Sequence, residues 1–449
     1  MATMLSRTLR LISWFPALAA PITAQHLTPV DRQLIAAAVW SEPRYNYAYW
    51  DARRTDWDSA FAAVVTETVG RGAPPAPPAR PARPAAPTDV QFFRRLRRFV
   101  ALLGDPQAEL LPPPAIASRV ARPPLVLRSI ERRPFIIDYD ANDEMRIARP
   151  ERLAEIVAVQ GVPADQWIRD SILPETPAGS WDRAVARMLE GEKGSALHLV
   201  LRLPGGAERG ASVTRSVSLT ARWPLEPPAL EVDTLPGGAL WVRVNSLADE
   251  GLVQAFDRAL GDAPRLSGIV LDLREASGMG SGRENGYAIL ARLIERPILT
   301  SRWRTPQYRP AYRGADAPDS IGAWLAAPSD SIRPRQGRAR FAGPVAILAS
   351  PRTAGAAEDL IVAFRNGSRG PVVGETSAGS TGQTLLLALP RGWRLRVTVT
   401  RDAFPDGTEF ARTGIAPELP VAVRVDDVLA GRDAALERAR EYLKTAPPR

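Results

Sequence analysis

An α/β core, preceded by a β-rich module and an N-terminal helical part, is the architecture this sequence predicts. Three observations carry it. Between positions 238 and 445, short uninterrupted apolar runs alternate with segments of helical periodicity, as parallel strands buried on both faces and joined by helices do. Between 118 and 222 the apolar residues come in short alternating stretches punctuated by Pro and Gly. Between 27 and 117 they recur at helical spacing. With 449 residues, 45% of them hydrophobic, the chain can bury a sizeable core in two or three domains.

The elements follow in order. Met1 to Arg10 is basic, Leu11 to Ala20 is mostly apolar, and Ile22-Thr23-Ala24 precedes Gln25, so residues 1–24 read as a signal peptide cleaved near Ala24. The mature protein is expected to be exported, periplasmic or extracellular, with no integral membrane segment. Residues 25–117 form a helical domain, with Leu34, Ile35, Val39 and Trp40 as an apolar stripe and a second helix over Val90–Leu103. Residues 72–87 are a Pro/Ala/Arg tract, read as an exposed semi-rigid insertion. The β-rich module spans 118–222, with a helix near Trp181–Leu189 among its short strands. Residues 223–449 form the α/β domain. Its strands are Leu240–Val244, Ser267–Leu273, Val345–Leu348 and Pro371–Gly374, its helices Gly251–Leu260, Tyr287–Ile294 and Ala356–Phe364, and it closes on a hairpin about Gly392.

Charge and composition exclude several kinds of chemistry. The formal net charge is +9, but the arginines are scattered among Asp and Glu; the cluster Arg94–Arg98 reads as the wet face of a helix burying Phe92, Phe93, Leu96, Phe99 and Val100. Nucleic acid is not expected as a partner. There is no cysteine, and His26 and His198 stand far apart, so neither disulfides nor a metal cluster is expected, and no cofactor. His198 falls in an alternating strand and should face solvent. The only lysines are Lys193 and Lys444.

The chemistry-bearing stretch is Ser350-Pro351-Arg352-Thr353-Ala354-Gly355-Ala356-Ala357-Glu358. A strand that turns sharply into a helix is where hydrolases present a nucleophile, because the helix start supplies free N–H groups for an oxyanion. Here the position at the turn is Gly355, which has no attacking atom. A second cluster of candidates, Ser377, Ser380, Gln383 and Thr384, follows in the loop after Gly374.

Taken together and in sequence order, these segments resemble the tail-specific, or carboxy-terminal processing, protease family of serine peptidases. Asp105-Pro106-Gln107-Ala108 resembles its Asp-Pro-His-Thr segment, and Ile156–Pro163 with Gly194–Arg202 its embedded PDZ module. Asp272-Leu273-Arg274 with Gly278 resembles its glycine-rich loop. Thr353–Glu358, Gly374-Glu375-Thr376-Ser377-Ala378-Gly379 and Gly414-Ile415-Ala416-Pro417-Glu418 resemble later landmarks of its catalytic domain. The resemblance implies a crotonase-like core, a PDZ-like module and an N-terminal helical cap. It further implies action on peptides or unfolded protein C-termini. Carried over by position, the nucleophilic serine falls on Gly355, and the base on Ser380 or, in tricorn-like members, on Gln107. Thr384, with Gln383 beside it, falls where a glutamine is usual, and Ala411 where the tricorn-like members have a glutamate. The oxyanion-type backbone falls on Gly278 and Ala356. The resemblance therefore implies an exported member of the family that binds peptides or a protein partner with hydrolysis reduced or lost. The alternative is an endopeptidase with a relocated nucleophile, Ser380 or Ser377.

Overall fold

The computed structural model describes residues 26–53, 55–69, 87–140, 142–171, 178–261, 265–278, 282–309, 323–336 and 340–446. The expected leader and nearly all of the Pro/Ala-rich insertion lie outside these residues, as does most of the Gly278–Gly282 loop.

A six-stranded sheet organises the C-terminal half. Its order is Leu230–Leu235, Ala239–Val244, Ile269–Asp272, Val345–Ala349, Val372–Gly374 and Leu419–Pro420, with the first pair antiparallel and every later pair parallel. Parallel strands need crossovers, and helices Leu252–Ala259, Arg283–Leu290 and Ala356–Asn366 stand in them. Period-two alternation sends Ile269, Leu271, Val345 and Ile347 into one core with Phe256, Ile289, Leu360 and Phe364. Val270, Ala346, Leu348 and Val373 meet Ala435, Ala439 and Leu443 of helix Ala434–Thr445 on the opposite face. Both faces are thus covered, which is why the middle strands read as unbroken apolar runs.

The β-rich module is a sheet in the order Leu125–Ile130, Arg133–Tyr139, Glu155–Val159, Ala196–Arg202 and Glu208–Thr214, with helix Ala178–Arg187 against its first strand. His198 faces out on that sheet and meets Ser212 Oγ through Nδ1 at 2.9 Å.

The N-terminal helices Pro29–Asn46, Trp57–Val69 and Asp89–Ala101 enclose an aromatic core with Trp50, Trp57, Phe92, Phe93 and Phe99. Thr28 and Thr88 each cap a helix through a reciprocal capping box. Two expectations are corrected here. Leu34 is 53% exposed, because the buried stripe runs through Ile35, Ala36 and Val39 instead. The stretch to 117 is not all helix: Glu109–Leu111 is a strand paired with Arg394–Arg396 of the C-terminal hairpin. Trp393 lies between Phe92 and Phe93, with ring centroids 5.8 and 5.9 Å away, and completes this suture. It brings the end of the first helix, Tyr45 and Asn46, to the rim of a cavity in the α/β domain.

Candidate functional site

The site forms where strand Val345–Ala349 turns into helix Ala356–Asn366. Gly355 caps that helix with φ 60° and ψ −122°, a left-handed conformation that L side chains rarely adopt. Its neighbour in space is Gly278, paired with it through a short parallel bridge, Ser277 to Ala354 and Gly278 to Gly355. The Gly355 N–H donates to Ser380 O at 2.8 Å.

A buried carboxylate holds this turn together. Glu358 is fully buried and accepts from Ser377 Oγ at 2.5 Å, Gly379 N at 2.7 Å, Ser380 N at 2.9 Å and Gly355 N at 3.3 Å. The helix's first turn is thereby tied to the loop 377–380. Ser377 Oγ also accepts from Ile415 N at 2.7 Å, drawing in the Gly414-Ile415 turn. Gly379, at φ +64°, is needed there, because a Cβ would come within 2.6 Å of Gly414 N. Burial pushes the Glu358 carboxyl up to about 7, and its hydrogen bonds from Ser377, Gly379, Ser380 and Gly355 pull the other way.

In front of the turn lies a half-open cavity of about 650 Å³, within the range of ligand pockets. Gly355, Ala356, Gly382, Gln383, Thr384 and Leu385 form one side, and Tyr45, Asn46, Thr305 and Pro306 help to close it. Thr384–Ala388 is an edge strand of its three-stranded sheet, with Leu385 and Leu386 exposed.

The floor holds a charged cluster that the sequence reading missed. Arg283 Nε donates to Asp359 Oδ2 at 2.8 Å, and its terminal nitrogen to Asp402 Oδ2 at 3.3 Å. Ser301 Oγ donates to Asp359 at 2.7 Å, while Thr381 and Thr400 hydroxyls donate to Asp402 at 3.0 and 3.2 Å. Burial pushes Asp359 up to about 7, with repulsion from Asp402 adding to it and Arg283 and Ser301 opposing. Asp402 is raised as well, by burial first.

The structure separates the expected site residues into two groups. Gly355, Ala356, Gln383 and Thr384 face the cavity. Gln107, Ser377 and Ser380 are buried behind it. Gln107 Nε2 donates to Thr381 O at 2.5 Å, and Ser350 Oγ to Arg274 O at 2.6 Å. Ser380 Oγ has no hydrogen-bond partner among the described residues. Among those residues, no serine, lysine or histidine lines the cavity. Lys193 is exposed in the β-rich module and Lys444 on the last helix.

These raised carboxyls predict a pH dependence. A group held above its ordinary value favours the fold fully below that value and loses this contribution as pH rises through the folded value. Glu358 and Asp359 are ordinary near 4.5 and 3.8 and sit near 7 when folded, so stability should fall between about pH 4.5 and 7. Each group contributes up to about a tenfold change in the folding equilibrium per pH unit there. Urea midpoints at pH 5 and pH 8 check this; Asp359→Asn should flatten the difference.

With this geometry in view, comparisons place the chain among known proteins. Residues 239–421 match the model of peptidase family S41. A carboxyl-terminal-processing peptidase 2, chloroplastic, of Arabidopsis thaliana is 28% identical over 291 residues, 61% of this chain and 50% of the relative. A C-terminal processing peptidase, chloroplastic, of Tetradesmus obliquus is 26% identical over 250 residues, 52% of this chain and 48% of the relative. The chain thus spans about half the length of the curated relatives it matches. A solved structure of mature CPAF complexed with lactacystin shares the fold, with TM-score 0.71 at 13% identity, covering 92% of this chain and 98% of that one. Among the described residues no helix is long and apolar enough to cross a membrane.

Proposed function

Because the chain belongs to the tail-specific protease family, with a peptidase family S41 domain over residues 239–421, we propose that its cavity binds unfolded peptide segments without cleaving them. One observation carries the reading. Among the described residues, the cavity wall at the strand-to-helix turn is Gly355, and no serine, lysine or histidine lines the cavity to supply the family's attacking atom and its proton acceptor. Hydrolysis by acyl transfer needs both, and removing either alone slows such enzymes by several orders of magnitude.

What remains suits binding. The N–H of Ala356 at the helix start and the Gly278 backbone are the family-type positions for holding a carbonyl or carboxylate. The edge strand Thr384–Ala388 borders the cavity and offers an extended chain a row of backbone partners. In this reading the core is crotonase-like, the N-terminal helices act as a cap, and the β-rich module is PDZ-like. The module's own edge is less available: Ser129 N on its first strand donates to Asp182 of the adjacent helix at 2.8 Å. The cavity, rather than the module, is therefore assigned the peptide. Export is also part of the reading and rests on the sequence of residues 1–24.

The alternative, a relocated nucleophile, is weakened by geometry. Ser377 Oγ is committed to Glu358 and Ile415 N, and both Ser377 and Ser380 are about 1% exposed. A fluorophosphonate probe should leave the protein unlabelled, while a fluorescent unfolded peptide binds it saturably. Thr384→Arg, which places a long side chain on the cavity wall, should weaken binding at least about tenfold. Labelling at any serine of this region, or binding unaffected by Thr384→Arg, would overturn the assignment.

A further inference from the structure

The chemistry of the cavity lining says which peptides it takes. Its charged members are Arg283, Glu284 and Asp359, and Asp402 stands directly behind through the shared guanidinium. Arg283 already faces two carboxylates, so it has little positive potential left to offer a ligand. Glu284 lies on the exposed wall and has no ion-pair partner among the described residues. The balance is three carboxyl groups, Glu284, Asp359 and Asp402, against one guanidinium, Arg283; it is negative once Asp359 is ionised, so the contrast is read at pH 8. This local excess of negative charge sits in a chain whose net charge is +9, so average composition does not account for it. In a recess walled by protein, such an excess is felt more strongly than on open surface.

The rest of the lining fits the same ligand. Tyr45 is an aromatic wall, held edge-on against Tyr308 with ring centroids 4.9 Å apart. Aromatic rings attract ammonium and guanidinium groups. Asn46, Gln383 and Thr384 supply neutral polar groups, and Pro306, Leu385 and Val399 supply apolar surface for an aliphatic stem. A long side chain with a cationic head satisfies all of these at once. A carboxylate-bearing side chain would meet Glu284 and the Asp359–Asp402 pair instead.

We infer that the cavity selects peptides carrying a lysine or arginine side chain, with Glu284 as the residue that reads the charge and Asp359 and Asp402 as the negative floor. The inference rests on the peptide-binding reading above and names its substrate class.

The test is fluorescence anisotropy with four versions of one unfolded decapeptide, bearing arginine, lysine, citrulline or norleucine at a single central position. Citrulline keeps the shape of arginine without its charge. The arginine and lysine peptides should bind at least about tenfold more tightly than the citrulline peptide at low ionic strength, with the ratio shrinking as salt rises. Glu284→Gln should reduce the arginine-to-citrulline ratio to within about threefold. Glu284→Lys should invert it in favour of a glutamate-bearing peptide. Glu284 is solvent-exposed, so neither variant should unfold the protein, and circular dichroism checks this. Equal affinity for the arginine and citrulline peptides overturns the specificity while leaving the peptide site standing. A ratio indifferent to Glu284→Lys overturns the role of Glu284. Failure of every peptide to bind overturns the specificity together with the function it rests on.

Discussion

Replacing Glu358 by alanine should destabilise the α/β domain by on the order of 3–5 kcal/mol and abolish peptide binding. The side chain is fully buried, and its oxygens take hydrogen bonds from Ser377 Oγ and from the amides of Gly355, Gly379 and Ser380. Truncation leaves the Ser377 hydroxyl and the amides of Gly379 and Ser380 buried without an acceptor, while the Gly355 amide keeps Ser380 O, and each stranded donor costs roughly 1–3 kcal/mol. A void is left as well. The loop 377–380 then loses its tie to the helix start, and the Gly355 turn loses its register with it. Glu358→Gln is the sharper variant, since it keeps the volume. Its NH₂ group must face donors in either orientation, so it should still lose much of the stability. Urea unfolding followed by tryptophan fluorescence reads the first effect, and peptide anisotropy the second. Wild-type stability in Glu358→Gln would show that the carboxylate is not what fastens the loop.

Removing the cation from the cavity floor should be comparably severe and should depend on pH. Arg283→Met strands Asp359 and Asp402, which are 3% and 0% exposed, with no guanidinium between them. Breaking a buried ion pair from one side typically costs about 3–5 kcal/mol, because the remaining charge has nowhere to go. Protonation relieves it. Both carboxyls are already raised, so at pH 5 they take up protons readily and the loss should be small, whereas at pH 8 it should be near its maximum. Adding Asp359→Asn and Asp402→Asn to Arg283→Met should restore part of the stability at pH 8, since residues in one network do not act additively. A penalty that is equal at pH 5 and pH 8 would contradict the view that burial holds both carboxyls above their ordinary range.

Much of the α/β domain is legible in the sequence because its strands are buried on both faces. Val345–Ala349 and Ile269–Leu271 are covered by helices on either side, and their residues are accordingly all apolar. The amphipathic helix Asp89–Ala101 is legible for the converse reason, its phenylalanines and arginines falling on opposite faces. The sheet formed by Arg302–Gln307, Ala323–Ala327 and Arg401–Ala403 escapes a reading by hydrophobicity. Its strands carry arginines whose guanidinium groups lie over an aromatic ring, as those of Arg304 and Arg401 do over Trp324. The strand Glu109–Leu111 is too short to announce itself and exists because the hairpin edge near Arg394 is available to pair with it.

The site divides in the same way. Gly355, Ala356, Gln383 and Thr384 are found from local motifs because they lie on one turn and the loop that faces it. Arg283, Asp359 and Asp402 belong to no local motif; Arg283 is 76 positions from Asp359 and 119 from Asp402. The packing of helix Arg283–Leu290 against helix Ala356–Asn366 brings Arg283 to Asp359, and strand Arg401–Ala403 carries Asp402 to them. Asp359 could have been singled out as a charged residue inside a helix that is otherwise buried, with Glu358 beside it. Paired buried carboxylates in one helical turn require partners, and their partners mark the site.

Mass spectrometry of an unfolded, arginine-bearing peptide recovered from the saturated protein after prolonged incubation tests the central claim most directly. A scaffold with glycine at the turn and, among the described residues, no serine, lysine or histidine lining the cavity should return the peptide at its full mass after saturable binding. Fragments that accumulate with time, and that disappear when Ser380 is changed to alanine, would show that this cavity cuts what it holds.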